Sequence, residues 1–434
     1  LVLFFKKEHA SFPDADVLVV GAGIAGLAAA TAARARGSSV IVLEAGGRTG
    51  GRAWTSGPAV LGGLPFDHGA QWLHDAETNP LVPLARRRGE IVRPDQNFAD
   101  RLCIPGGASA AAAFRTAADA WRDAVTGLLR EPDMSLFDAA SHVAADPWAA
   151  TVEAWEGSII AAADADLLSL RDWADNELAG ENFVAERGLG AMLGRLFSPA
   201  AEGVRLRTAV TGVALERNGV RVTSTGGDLL AGAVIVTVST GVLRSGGMGF
   251  SPSLPQQTLA ALDGLPMGLL SKVVLPASGP DRLGLASDAE VFDRLAERGA
   301  PFMPMMMWPD GGAYAVGFIG GRAAWSLAAA PGESASFMRD ELVRLLGRAA
   351  RGAFAANDYL ATDWGTNPLF LGAYAYAKPG HAGARAVLAE PIWDGRLIFA
   401  GEACAAGGKA GTVAGAYESG CRAAALVAAR VPGA

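Results

Sequence analysis

Cysteine, histidine and long apolar runs are all scarce in this chain, and each shortage removes a class of function. Three cysteines among 434 residues (Cys103, Cys404 and Cys421) cannot build a disulfide framework, and their scatter does not fit a paired zinc site. The five histidines, His9, His68, His74, His142 and His381, show no HExxH or other helical ligand spacing, so no metal is expected. No apolar run reaches about 18 residues, so no membrane-spanning helix is expected. Charged side chains are only 19% of the total, and 37 basic against 44 acidic residues leave a net charge of −7. A nucleic-acid binder would carry a basic excess, so nucleic acid is not an expected partner. Residues 1–13, LVLFFKKEHASFP, are too short and wrongly ordered for an intact signal peptide. A cytoplasmic location is expected, with export or a periplasmic location left open by a chain that starts at Leu1 rather than Met.

Apolar residues and glycine are plentiful. Half the chain is hydrophobic, enough to bury a large core in two or three domains. Glycine contributes 56 residues, well above the usual share of about 7%. It is clustered rather than periodic, which excludes collagen-like repeats and points to places where backbone meets a ligand.

The first cluster follows the apolar run at residues 17–20, which reads as a buried parallel strand. Gly21, Gly23 and Gly26 then fit GxGxxG, an Ala-rich helix is expected over residues 24–36, and a second apolar run at residues 40–43 ends at Glu44. Strand, Gly-rich turn, helix, strand and acid form the arrangement of a dinucleotide site. Gly21 makes the turn, Gly23 admits a pyrophosphate to the backbone, and Gly26 lets helix and strand pack closely. The helix start, with Ile24 and Ala25, offers free N–H groups and a partial positive charge to the phosphates. Glu44 accepts the ribose hydroxyls, and its charge disfavours a 2′-phosphate.

The segment from Glu44 to Thr55, EAGGRTGGRAWT, adds a second glycine pair with Arg48 and Arg52. A nicotinamide site has no need of this extension, whereas a flavin dinucleotide does. The segment resembles the GGR motif of the flavin-containing amine oxidase superfamily, which includes monoamine, polyamine and L-amino-acid oxidases. FDHGAQWLH at residues 66–74, the strand-rich stretch at 204–243 with its Asn218-Gly219 hairpin, and GEACAAGGKAGTVAGAYESG after residue 400 are similar to further segments of that family. The likeness spans nearly the whole chain and is weakest in the middle.

The resemblance implies an α/β fold with a Rossmann-like FAD-binding domain of the discontinuous GR2 type and an α+β substrate domain. This is the p-hydroxybenzoate-hydroxylase and amine-oxidase-like architecture. The FAD domain is expected over residues 11–75, 195–268 and 385–434, and the substrate domain over 76–194 and 269–384. In the latter, residues 108–129 and 148–170 read as helices and 313–319 as a strand. The family's pattern places Arg48 and Arg52 near the pyrophosphate and flavin, and Ala45 and Gly51 belong to the same loop. Gly69, Ala70, Gln71 and Trp72 would run past the flavin ring, and Val210 would touch the adenine through its backbone. Gly401 and Glu402 would meet the ribityl or phosphate region. Thr412 and Val413 would bring a helix N-terminus to the flavin N1 and C2=O edge, where charge gathers on reduction.

Four residues are implied in the chemistry. Alternation puts Lys272 on one strand face with Leu270 and Val274, and pattern alone favours an exposed edge. The resemblance reverses that and gives Lys272 a water held against flavin N5. Trp364 would pack near the flavin, and Tyr374 would form one wall of an aromatic cage for the amine or else sit in ordinary core. The opposite wall matches Thr412 rather than Tyr, so the cage is incomplete unless Tyr376 or another aromatic fills the gap. That departure counts against simple arylalkyl monoamines. His74 matches a histidine beside the substrate amine, with a plain loop histidine as the other reading. Asp75 and Glu77 nearby would attract a polycation or lie idle at the surface, and residues 303–308, MPMMMW, would line a pocket or fill core. Ala373 stands where some relatives carry a flavin-bonded cysteine, so FAD is expected to be non-covalent.

The implied activity is oxidation of an amine C–N bond to an imine, with hydride passing to flavin N5, O2 reduced to H2O2 and the imine hydrolysed. The alternatives are a desaturase or porphyrinogen-oxidase-like flavoprotein, or a flavin-binding protein without amine turnover. The expected partners are a small amine and O2, with a homodimer open. Polyamines, monoamines, alkaloid amines and amino acids all remain open as substrates. An amino-acid oxidase requires an arginine to clamp the carboxylate, and the sequence identifies none.

Overall fold

Four consecutive apolar residues, Val17, Leu18, Val19 and Val20, have no polar face to turn to water, so their strand must be covered on both sides. The computed structural model describes residues 13–429, and the leader reading of the first residues lies outside them. Strand β1 (Ala15–Val20) lies inside a seven-stranded sheet, between β2 (Val40–Leu43) and β3 (Gly227–Val236), with both pairings parallel. Val17 faces Val40 on one side and Ala233 on the other. The short strand Leu397–Phe399 adds parallel to the far side of β3. The start of β3 pairs antiparallel with Gly219–Ser224, which turns back through Asn218-Gly219 to pair with Val210–Glu216. One sheet thus gathers strands from three separated stretches of chain.

Helix α1 (Ile24–Arg34) crosses over from β1 to β2. It stops two residues short of the expected Arg36, and the chain reverses at Gly37 with φ 89°. Its alanines pack against the helix Val413–Ala428, and both contribute small residues (Ala28, Ala29, Ala423, Ala424) to one core. Gly420 lies so close to α1 that a Cβ there would strike the carbonyl of Ala25. Leu81, Val82, Ala85, Phe183, Leu189 and Met192 join this same core, although they fall in the stretch expected to form the other domain.

The second sheet has five strands. Strand β4 (Leu270–Pro276) lies between β5 (Tyr314–Gly320) and the short strand Leu360–Ala361, antiparallel to both. Lys272 is therefore inside a sheet, opposite Phe318, and the edge position suggested by alternation alone is corrected. Met305–Met307 pairs with β5 and is buried throughout. Met303, Met305 and Met307 pack on Met338 and Leu342, so the methionine stretch is core and only Pro304 from it reaches the cavity described below.

The helix expected at 108–129 forms as Gly107–Thr126. The one expected at 148–170 does not form as a single helix. It breaks into Ala149–Ala154, a π-helix at Trp155–Ala161, a reversal at Ala162 with φ 57°, and Leu170–Asp175 after a short 3-10 turn. The backbone there is spent outside the helix: the Ala162 carbonyl accepts from Leu269 N at 2.9 Å. Among the described residues no helix is long and apolar enough to cross a membrane.

Two glycines test the packing. Gly420→Ala is expected to destabilise by about 1–3 kcal/mol through overpacking against α1. Gly194→Ala, in the helix Leu189–Leu196 where a Cβ meets nothing within 4 Å, is expected to stabilise by up to about 1 kcal/mol. Thermal unfolding of the two variants should shift in opposite directions, and shifts of the same sign would contradict the packing.

Candidate functional site

Where β1 ends, the chain has no side chains to spare for a wall, and the wall is bare backbone. Gly21 turns with φ 100°, and Gly50 N donates to Ala22 O at 2.8 Å. The two glycine clusters therefore meet backbone to backbone: a Cβ on Gly51 would lie 3.2 Å from Gly23 Cα. Glu44 clamps the pair, its carboxylate accepting from Ala22 N and Gly46 N, both at 2.7 Å. These segments open a cavity of about 870 Å³ that runs from the first sheet to the second.

Most residues singled out in the sequence line this one cavity. Gly21, Gly23, Ile24, Ala25, Glu44, Ala45, Gly51 and Arg52 form one end, with Val210 beside them. Gly69, Ala70, Gln71, Trp72, Trp364, Gly401, Glu402, Thr412 and Val413 continue the wall. Gly26 is not on the wall, since it packs beneath the Gly21 carbonyl where any Cβ would clash. Arg48, expected near the pyrophosphate and flavin, does not line the cavity either. Its guanidinium lies 4.5 Å over the Trp54 ring and donates to Thr49 O. Arg52 points inward and donates to Ala373 O at 2.7 Å and to buried Glu402 at 3.0 Å, while Glu402 also accepts from Ala375 N. Thr412 caps the helix Val413–Ala428 by accepting from Gly415 N at 3.0 Å. The cavity thus has two helix N-termini, a backbone cradle that side chains would fill, and a fixed carboxylate. This donor and acceptor set fits a flavin dinucleotide.

Lys272 is 4% exposed. Its ammonium donates to Asp67 O at 2.7 Å and Gln71 Oε1 at 2.8 Å. The rings of Phe66, Trp72 and Phe318 surround it, 5.6 to 5.9 Å from Nζ. Burial pulls its pKa down to about 8, with the Asp67 carboxylate opposing part of that shift. Asp67 is fixed in turn because its carboxylate accepts from Leu189 N and Gly190 N at the start of a helix and from the Thr55 hydroxyl. Trp364 is buried and donates to His68 O at 3.1 Å. Tyr374 and Tyr376 both face the cavity. Burial raises the Tyr374 pKa, and its hydroxyl donates to Ile160 O at 2.8 Å. His74 lines the cavity with Nδ1 2.7 Å from Asn182 Oδ1, and burial lowers its pKa. Asp75 and Glu77 do not line the cavity; they accept from Gly180 N and Glu181 N and tie two loops together.

Other lining residues carried no assignment in the sequence. His68 stacks on Trp54 at 3.9 Å with Nε2 2.7 Å from Ser56 Oγ. Burial and the charges of Lys272 and Arg48 lower its pKa to about 4, so it is neutral at pH 7. At the far end, Arg101 lies 3.3 Å from Asp95 and 3.9 Å from Glu290. Glu290 is 5% exposed, its carboxylate accepts no hydrogen bond from the described residues, and burial raises its pKa to about 7. Glu156 faces the same cavity, pairs with Arg122 at 3.1 Å and is likewise raised to about 7 by burial. Apart from His68, these residues sit where the family likeness is weakest. One signal was available: Glu290 interrupts the buried strand Ala289–Val291 just as Lys272 interrupts an apolar run.

Comparison with known proteins gives the following. A family model described as flavin containing amine oxidoreductase matches residues 24–428. Protein FLOWERING LOCUS D of Arabidopsis thaliana is 29% identical over 97% of this chain and 56% of its own length. Lysine-specific histone demethylase 1 homolog 3 of Oryza sativa subsp. japonica is 30% identical over 95% of this chain and 54% of its own. The chain thus spans about half the length of these two relatives. Polyamine oxidase 3 of Oryza sativa subsp. japonica is 30% identical over 96% of this chain and 89% of its own. Among solved structures, putrescine oxidase, wild type bound to putrescine, superposes with a TM-score of 0.76 at 22% identity, over 96% of this chain and 99% of that one, a likeness of fold.

Lys272 makes stability depend on pH. Its pKa is about 8 in the folded chain, against about 10.4 for a free lysine. Between those values the unfolded chain binds more protons, so stability rises with pH across that window. Relative to Lys272→Met, the wild-type protein is expected to gain about 3 kcal/mol from pH 7 to above pH 10, read by urea unfolding. Parallel pH curves for the two proteins would show that this ammonium is not held in a desolvated site.

Proposed function

The chain belongs to the flavin-containing amine oxidoreductase family, and we propose that it is an FAD-dependent amine oxidase whose preferred substrate carries a second cationic group, as a diamine or polyamine does. One observation carries this reading. A single cavity joins the dinucleotide cradle to Lys272, Trp364 and Tyr374 and reaches Glu290 and Asp95, two carboxylates that share one guanidinium.

On this reading, the bare backbone at Gly21, Gly23, Ile24 and Ala25 holds the pyrophosphate, and Glu44 with Ala45 holds the ribose of the adenosine half. Val210 meets the adenine. Arg52, Gly51, Gly401 and Glu402 hold the ribityl side, while Gly69, Ala70, Gln71 and Trp72 flank the ring. Thr412 and Val413 present a helix N-terminus to its N1 and C2=O edge, which stabilises negative charge there. Arg48 braces the loop through Trp54. FAD, when bound, would supply the redox chemistry, accepting hydride at N5 from the carbon beside the amine nitrogen and passing electrons to O2 to give H2O2 while water hydrolyses the imine. Ala373 offers no atom for a covalent bond, so the group is held non-covalently.

The side chains do the orienting. Tyr374 and Trp364 present ring faces to the amine, and a neutral amine is favoured in a site already holding the Lys272 cation. Lys272 has an ammonium fixed by two acceptors and directs a water rather than the substrate. His74 lies along the substrate path. The carboxylate of Glu290, 3.9 Å from the guanidinium it shares with Asp95, draws the second ammonium, which relieves the cost of a desolvated anion. The sheet around β1 and the sheet around β4 would serve as the cores of the FAD and substrate domains.

Anaerobic mixing with spermidine, putrescine and benzylamine tests the reading. The flavin should bleach faster with the first two, and a flavin that none of them bleaches would sink it. Glu290→Gln is expected to raise KM for spermidine on the order of tenfold, equivalent to about 1.4 kcal/mol. Glu290 and Glu156 ionise as pH rises through about 7, so KM for a dication should fall across that range, and fall less in Glu290→Gln, where Glu156 alone still titrates. Acid precipitation of the holo-protein should leave all the yellow flavin in the supernatant, whereas flavin in the pellet would exclude the non-covalent assignment.

A further inference from the structure

The π-helix Trp155–Ala161 is unusual in itself, since such turns are rare and tend to occur at functional sites. Trp155, Glu156, Ile159, Ile160 and Ala161 line the cavity, and Ile160 is 45% exposed. The end of any helix leaves carbonyls without intrahelical donors. Here they are met from outside. The Tyr374 hydroxyl donates to Ile160 O at 2.8 Å and lies 3.3 Å from Ile159 O. Leu269 N, just before β4, donates to Ala162 O at 2.9 Å. Gly320, at the end of β5, leaves room for the Ser158 carbonyl where any Cβ would collide. Three contacts therefore fix this turn to Tyr374, to the start of β4, which carries Lys272, and to the end of β5. The turn in turn carries Glu156, held against Arg122, and Trp155, packed 4.6 Å from Phe98.

We propose that this π-helix is the wall that selects among amines by length and charge, and that the Tyr374 hydroxyl is the latch that holds it. The proposal rests on the amine-oxidase reading for its substrate and on the hydrogen-bond geometry for its latch. It separates two roles of one side chain. The ring of Tyr374 faces the cavity and orients the amine. The hydroxyl, buried and kept protonated, is committed to the carbonyls of residues 159 and 160. Releasing the latch frees Glu156 and Trp155 to shift, so a long dicationic amine loses its fit while a short amine loses less.

Tyr374→Phe keeps the ring and removes the latch. In the holo-protein without substrate, amide hydrogen exchange across residues 155–162 is expected to quicken by about three- to tenfold, the size of one lost hydrogen bond. With substrate, the ratio of kcat/KM for spermidine to that for benzylamine should fall severalfold, mainly through KM for spermidine. Gly320→Ala, which presses on Ser158 without touching Tyr374, should lower the same ratio. Unchanged exchange in a folded Tyr374→Phe, or an unchanged ratio, overturns the proposal. If the wild-type protein oxidises no amine, the functional reading fails, and the exchange measurement still decides the latch.

Discussion

The ammonium of Lys272, donating across the cavity to the Asp67 carbonyl and to Gln71, is the contact on which the rest of the site depends. It ties β4, in the middle of the second sheet, to the segment around Gly69 that lines the same cavity. A buried cation is costly unless its donors are met, and here two are. The same segment is fixed from the other side. Asp67 caps the helix Leu189–Leu196, His68 stacks on Trp54, and His68 O takes the Trp364 indole. Two groups read as facing the flavin, Lys272 and Trp364, thus hang on adjacent carbonyls. The positions of both follow from one short stretch of backbone.

Around that contact the cavity changes character along its length. At the first sheet the wall is backbone, because only glycine lets two loops and a helix start approach one another so closely. Gly23 and Gly51 meet there with no side chain between them. In the middle the wall is aromatic, with Trp72, Phe318, Trp364 and Tyr374. At the far end it is charged, with more carboxylate than guanidinium among Asp95, Arg101 and Glu290. On the proposed reading, backbone, aromatic and charged walls follow the order of groups in an FAD and amine pair laid end to end. Burial raises Glu290 and lowers Lys272, so both titrate nearer neutrality than usual.

The chain itself fixed the first βαβ unit, its acid and the likeness that followed, because local pattern suffices for them. A four-residue apolar run that ends at Gly21 reads as a buried strand, and the spacing of Gly21, Gly23 and Gly26 is a backbone requirement written in one short stretch. The hairpin at Asn218-Gly219 and the cap at Thr412 were legible for the same reason. Three things were decided only by tertiary packing. The stretch after Trp148 has the composition of a continuous helix, yet its carbonyls are taken by Tyr374 and Leu269, more than a hundred residues away, and it opens into a π-turn. The family resemblance puts Arg48 near the pyrophosphate and flavin, but its guanidinium lies over the Trp54 ring. The acids that give the cavity its charged end come from residues 95, 156 and 290, far apart in the chain. Sequence determines what each segment can form by itself. Only folding decides which distant carbonyl a donor meets, and the π-helical wall of this cavity is made of such meetings.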